Sequence, residues 1–120
     1  MVIAAKVIVA LNALIHVYIM VLETALYKRA VKVFGIPKHL RDEPMLKTML
    51  KNQGAYNGVL ALGLIWGLLH PAADIGLQIQ LFFLGSIAAM GIVGAVTAKK
   101  EILFVQTIPA SIGIALLLIS

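Results

Sequence analysis

Asn12, His16 and Glu23 are polar side chains set inside an apolar run from Met1 to about Tyr27. In hydrocarbon an ionisable group costs roughly 2.5–3.5 kcal/mol to insert, so it normally faces the protein interior or a water-filled cavity. The three are 4 and 7 residues apart. At about 100° per residue those steps return almost to one direction, so the side chains form a stripe. Tyr27 is expected to continue it one turn later. A polar stripe on an apolar helix must face other helices. Glutamate and histidine there could exchange protons or hold the polar group of a ligand, whereas Asn12 alone reads as a hydrogen-bonding bridge between helices.

A second polar group follows in Asn52-Gln53-Gly54-Ala55-Tyr56-Asn57-Gly58. Gln53 and Asn57 are four apart and share a helical face. Gln106 and Thr107 stand one turn into the last apolar segment. Glu23, Gln53, Asn57 and Gln106 are expected at similar depth on three helices. The leading reading is a ligand-binding pocket open to the cytoplasm, lined by Glu23, Gln53, Asn57, Tyr56 and Gln106, with His16 as its floor. Such an amide-rich lining suits the polar head of a small amphiphilic molecule. A second reading is a small proton-coupled transporter in which Glu23 and His16 carry protons. A third is a structural or accessory membrane protein whose stripe only bridges helices, at about 0.6 kcal/mol per contact. Whether the chain is an enzyme stays open. No metal site is expected, because only His16 and Glu23 are intramembrane candidates for ligands. No cofactor is implied, and Ser86, Ser111 and Ser120 lack a His–Asp pairing in the sequence.

These residues need helices in a membrane to position them. Of 120 residues, 62% are hydrophobic and 12% charged, and the mean hydropathy is +1.03. Ordinary soluble domains carry about 25% charged residues. The composition therefore implies a single integral membrane domain over residues 1–120, multi-pass, in the cell membrane. With no cysteine, disulfides and thiolate chemistry are excluded. The net charge of +5 comes from residues that flank apolar segments. It points to lipid head groups as partners rather than nucleic acid.

Four segments are long enough to span, at about 2–27, 52–69, 75–98 and 102–120, with Asp74 expected as the N-cap of the third. The fold class is thus all-α, an integral membrane four-helix bundle. The first loop, about 28–51, holds Lys28, Arg29, Lys32, Lys38, Arg41, Lys47 and Lys51; the third holds Lys99 and Lys100; the second has no Lys or Arg. The positive-inside rule puts the long first loop in the cytoplasm and both termini outside. The first helix has no small-residue cleavage site after it and is expected to be retained.

Phe34-Gly35-Ile36-Pro37 reads as a turn. Asp42-Glu43-Pro44 reads as a helix start, and Met45, Leu46, Met49 and Leu50 follow at helical spacing. This predicts an amphipathic helix running straight into the second span, either an interfacial helix or a lid. Gly54/Gly58 and Gly63/Gly67 lie on nearly opposite faces, with Gly85/Ala89 and Gly91/Ala95 on the third segment. They allow close packing on both sides of the second helix, at the centre of a bundle or in a homodimer or homotrimer. Pro109 should bend the last helix just past Gln106.

Ile15-His16-Val17-Tyr18 with Glu23, Phe34-Gly35, Asn52-Gln53-Gly54, Tyr56-Asn57-Gly58, Gln106 and Pro109-Ala110 together resemble an uncharacterised family. It comprises small four-helix bacterial membrane proteins, domain of unknown function thirteen-zero-four. The resemblance covers essentially the whole chain, with Tyr27 where tryptophan is expected nearby. It implies a bacterial membrane protein and no particular activity. The architecture is also similar to the membrane-associated eicosanoid and glutathione metabolism family, which has four helices, outward termini and a long first loop, and forms trimers. Asn57 matches that family's asparagine, while Gln53 and Leu60 replace its basic and acidic residues. The small multidrug transporters are similar in size and in a glutamate on helix one, but theirs lies mid-membrane and their loops are short.

Overall fold

The computed structural model describes residues 2–120. It is all-helical, with no strand among the described residues. The α-helices are α1 (Val2–Thr24), α2 (Tyr27–Val33), α3 (Pro44–Leu69), α4 (Ala73–Thr97) and α5 (Ile108–Ile119). A 3-10 turn (Lys38–Leu40) lies between α2 and α3, and a π-helical stretch (Leu103–Thr107) leads into α5. The chain packs as two compact units, one taking the chain up to Leu14 together with Leu60–Ser120, the other Ile15–Val59.

The larger unit is built on a core of Val9, Ala13, Leu64, Leu84, Ile87 and Ala110. These come from the start of α1, the end of α3, α4 and α5. Glycines bring the backbones close: a β-carbon on Gly76 would lie 2.7 Å from the Gly67 carbonyl oxygen, and one on Gly67 would lie 2.7 Å from Gln80 Cγ. The same approach lets the Gln80 amide donate to the Gly67 carbonyl at 3.1 Å. Asn12 donates to the carbonyls of Ile8 (2.9 Å) and Pro109 (3.1 Å), which makes it a bridge between α1 and α5. Pro109 has no N–H for a helical bond to Val105, and the wide π-helical turns stand directly before it. Thr107 in that stretch donates to the Ala88 carbonyl at 3.0 Å and packs on Gly91. Gly85 meets nothing within 4 Å.

In the smaller unit, α1 and α3 cross at Gly54 and Gly58. A β-carbon on Gly54 would meet Thr24 Cγ2 at 2.6 Å, and one on Gly58 would meet Met20 Sδ at 2.7 Å. The two GxxxG pairs of α3 thus serve different neighbours, Gly54/Gly58 facing α1 and Gly63/Gly67 facing α4. Both uses lie within one chain and need no second copy.

Several element boundaries differ from the sequence expectation. The first helix ends at Thr24, with the Ala25 and Leu26 amides both bonded to the Val21 carbonyl. Tyr27 therefore opens α2 and does not extend the stripe. The amphipathic segment, by contrast, runs straight into the second span as expected: α3 is one helix from Pro44 to Leu69. Asp74 lies within the first turn of α4, while Ala72 occupies the N-cap. The Phe34–Gly35 turn closes α2 as a Schellman motif. Gly35 has φ 67°, its amide bonds to Lys32, and the Ile36 amide bonds to Val31.

Among the described residues two helices are long and apolar enough to cross a membrane, α1 and α4; Leu103–Ile119 is shorter. α3 is long enough, but Asn52, Gln53 and Asn57 lower its hydropathy.

Candidate functional site

Glu23 is the second-last residue of α1, and its side chain is 1% exposed. α3 presents Gln53 and Asn57 one turn apart, so both amides reach the same carboxylate. Asn57 Nδ2 donates to Glu23 Oε1 at 2.7 Å, and Gln53 Nε2 donates to Oε2 at 2.8 Å. Each carboxylate oxygen thus has its own amide donor. Asn57 Nδ2 also lies 3.2 Å from the Gln53 carbonyl, which anchors that side chain to its own helix.

The close approach depends on Gly54, which lies between the two amides in sequence. A β-carbon there would be 3.0 Å from Glu23 Cβ and 3.3 Å from the Met20 carbonyl oxygen. Thr24 turns its hydroxyl back to that carbonyl at 2.7 Å and sets its methyl against Gly54. Its place in the crossing follows from being adjacent to Glu23; its residue type carries no other sequence signal.

The two donors differ in exposure. Asn57 is 6% exposed, whereas Gln53 is an exposed residue. The carboxylate is therefore gripped from inside by one amide and covered from outside by the other. Ionised, it is an acceptor only, with capacity beyond two hydrogen bonds.

His16 is fully buried on α1, seven residues before Glu23. Tyr56 is 66% exposed, because a step of one residue from Asn57 turns it about 100° around α3. Gln106 is half-buried in the π-helical stretch of the other unit, where its Cβ lies 3.0 Å from the position of a β-carbon on Gly91. Glu23, Gln53 and Asn57 are hydrogen-bonded to one another.

The same unit contains a cleft of about 550 Å³ where α1 gives way to α2. Tyr27, Lys28, Arg29, Lys47 and Lys51 line it, together with Thr24. Its outer segment is tied down by Tyr27, whose hydroxyl donates to the Arg41 carbonyl at 2.6 Å. Arg41 Nε in turn donates to the Ile36 carbonyl at 2.8 Å.

A carboxylate clasped by two amides at a glycine crossing, in a small helical chain with two strongly apolar helices, defines the class: an all-α protein with a polar cluster set among apolar faces. The chain belongs to the family described as protein of unknown function (DUF1304), whose model matches residues 10–118. It is 36% identical over 98 residues to uncharacterized protein YpaA of Lactococcus lactis subsp. lactis (strain IL1403), a match covering 80% of this chain and 81% of that protein. No solved structure matches the chain significantly.

Proposed function

We propose that the chain is a multi-pass four-helix protein of the bacterial cell membrane that binds a small polar or amphiphilic ligand at Glu23. Membrane insertion is supported by the lengths and apolar composition of α1 and α4. It is also supported by exposed large hydrophobics along both, among them Val7, Leu11 and Leu14 on α1 and Phe82, Ile92 and Val96 on α4. Large exposed apolar faces are rare on soluble monomers. Leu103–Ile119 and the apolar end of α3 would supply the other two crossings. On this reading the long connection between the first and second crossings gives the chain the plan of the metabolism-family architecture. The basic segment Lys28–Lys51 lies on the cytoplasmic side by the positive-inside rule.

The observation that carries the ligand reading is the unequal pair of amides on Glu23. Asn57 is buried and fixes one oxygen; Gln53 is exposed and covers the other. A ligand ammonium, amide or hydroxyl can take the Gln53 position on Oε2 and leave the Asn57 bond in place. Gln53 loses little on release, since water can satisfy its exposed amide. A ligand ammonium adds its own charge to the bond with the carboxylate, which the neutral Gln53 amide lacks. An apolar tail would lie along the lipid-facing helix surface.

The test uses full-length protein in neutral detergent and dodecylamine as the simplest amphiphile with a donor head. Dodecylamine should raise the unfolding temperature of the wild type, as a ligand of the native state must. Dodecanol should do so less, and Glu23→Gln should abolish the dodecylamine shift. Equal shifts in the wild type and Glu23→Gln would reject the reading.

A further inference from the structure

The cleft beside the α1–α2 break gathers four cationic side chains. Lys28 and Arg29 come from the first turn of α2, and Lys47 and Lys51 from successive turns of α3. None of its lining residues is acidic. Among the described residues, none of the four forms an ion pair with a carboxylate. Lys47 Nζ instead stands 5.7 Å from the centre of the Tyr27 ring.

This arrangement is unfavourable by itself. Like charges four apart on a helix destabilise it by a few tenths of a kcal/mol. All four side chains are exposed, so water and salt screen much of that repulsion, but their shared cleft leaves a local excess of positive charge. Tyr27, fixed through its hydroxyl to Arg41, holds the cleft wall in place. The positive-inside rule accounts for basic residues on this side of a membrane, but not for four of them converging on one concavity. An anion in the cleft would offset the repulsion.

We propose that this cleft binds a phosphate group. Arg29 offers a planar fork that matches two phosphate oxygens, while the lysines supply point charges and further donors. The Thr24 hydroxyl already donates to the Met20 carbonyl, so the lysines and arginine carry the recognition. A volume of about 550 Å³ accommodates a phosphate with a glycerol-sized substituent. The phosphate belongs either to an anionic lipid head group or to a soluble phosphate compound. The proposal does not rest on the ligand reading of Glu23, and its test leaves that residue untouched.

The experiment takes the full chain in neutral detergent and applies two probes. Phosphatidylglycerol is titrated and counted by native mass spectrometry, with phosphatidylcholine as the comparison. Inorganic pyrophosphate is titrated by calorimetry. Retention of phosphatidylglycerol over phosphatidylcholine identifies a lipid source, and heat with pyrophosphate a soluble one. Whichever probe binds, Lys47→Gln/Lys51→Gln should weaken it about tenfold, while Lys99→Gln/Lys100→Gln should change it by less than about twofold. Should the first pair fail to fold by circular dichroism, Arg29→Lys keeps the charge and removes the fork, and should weaken binding several-fold. The proposal is overturned if neither probe binds more tightly than about 1 mM. Equal losses from the two lysine pairs would also overturn it, since they would mean diffuse surface attraction.

Discussion

Gly54 and Glu23 lie so close that a β-carbon on the glycine would stand 3.0 Å from the glutamate's own β-carbon. Thr24 Cγ2 would be nearer still, at 2.6 Å. The hydrogen bonds from Gln53 and Asn57 depend on this approach, because both amides project from the turns around Gly54.

Gly54→Ala is therefore expected to force α1 and α3 apart, costing about 1–3 kcal/mol in overpacking. Gly85→Ala is the matched comparison, since nothing lies within 4 Å of its β-position. There the better helix propensity of alanine should leave stability unchanged or raise it by about 0.5–1 kcal/mol. Thermal unfolding of both variants in detergent reads the difference; equal effects would mean the crossing is not tight.

Asn57→Ala and Gln53→Ala remove one donor each from the same carboxylate. The Asn57 side is buried, so its loss should cost about 1–3 kcal/mol through an undersatisfied acceptor. Gln53 is exposed, so water can replace it, and the expected loss is below about 1 kcal/mol. A double-mutant cycle with Glu23→Gln should show larger coupling for Asn57 than for Gln53. The reverse order would contradict the inside–outside asymmetry.

Gly35→Ala tests the Schellman turn after α2. Its φ of 67° places an L side chain in the left-handed region, at a cost of about 1–2 kcal/mol. Gly35→Asn should cost less, because asparagine tolerates that conformation better. Chemical denaturation of the three proteins ranks them, and no difference between Ala and Asn would argue against the turn.

Tyr27→Phe deletes the hydroxyl that donates to the Arg41 carbonyl at 2.6 Å. The expected loss is about 0.5–1.5 kcal/mol. Faster amide exchange should appear around Arg41, measurable by hydrogen–deuterium exchange. Unchanged exchange there would show the bond to be dispensable.

Much of the Glu23 cluster was legible in the sequence because helical spacing is a strong constraint. Gln53 and Asn57 four apart must share a face, and Gly54 between them marks a close crossing. The Pro44 helix start and the Gly35 turn followed from residues with few conformational options. Tyr27 opens α2 and does not extend the stripe, because an apolar run does not reveal where a helix breaks: Ala25-Leu26 has neither proline nor glycine to announce it. Asp74 fell inside the helix rather than at its cap, one to two residues being the ordinary uncertainty of such ends. Gln106 is half-buried in the unit that holds α4 and α5, and depth along a sequence carries no information on direction around the helix. Depth likewise could not show that Lys28, Arg29, Lys47 and Lys51 line one concavity, since that depends on the break after Thr24.

The paired tethers Tyr27 to Arg41 and Arg41 to Ile36 have a consequence for proteolysis. The segment they close carries Lys28, Arg29, Lys32, Lys38 and Arg41, and trypsin cleaves after such residues. A protease must draw a stretch of backbone into extended form before it can cut. A segment bounded by helices and pinned at Arg41 resists that until it opens locally. Cleavage here therefore follows the population of the opened form, so the most trypsin-rich stretch of the chain doubles as a gauge of its own folding.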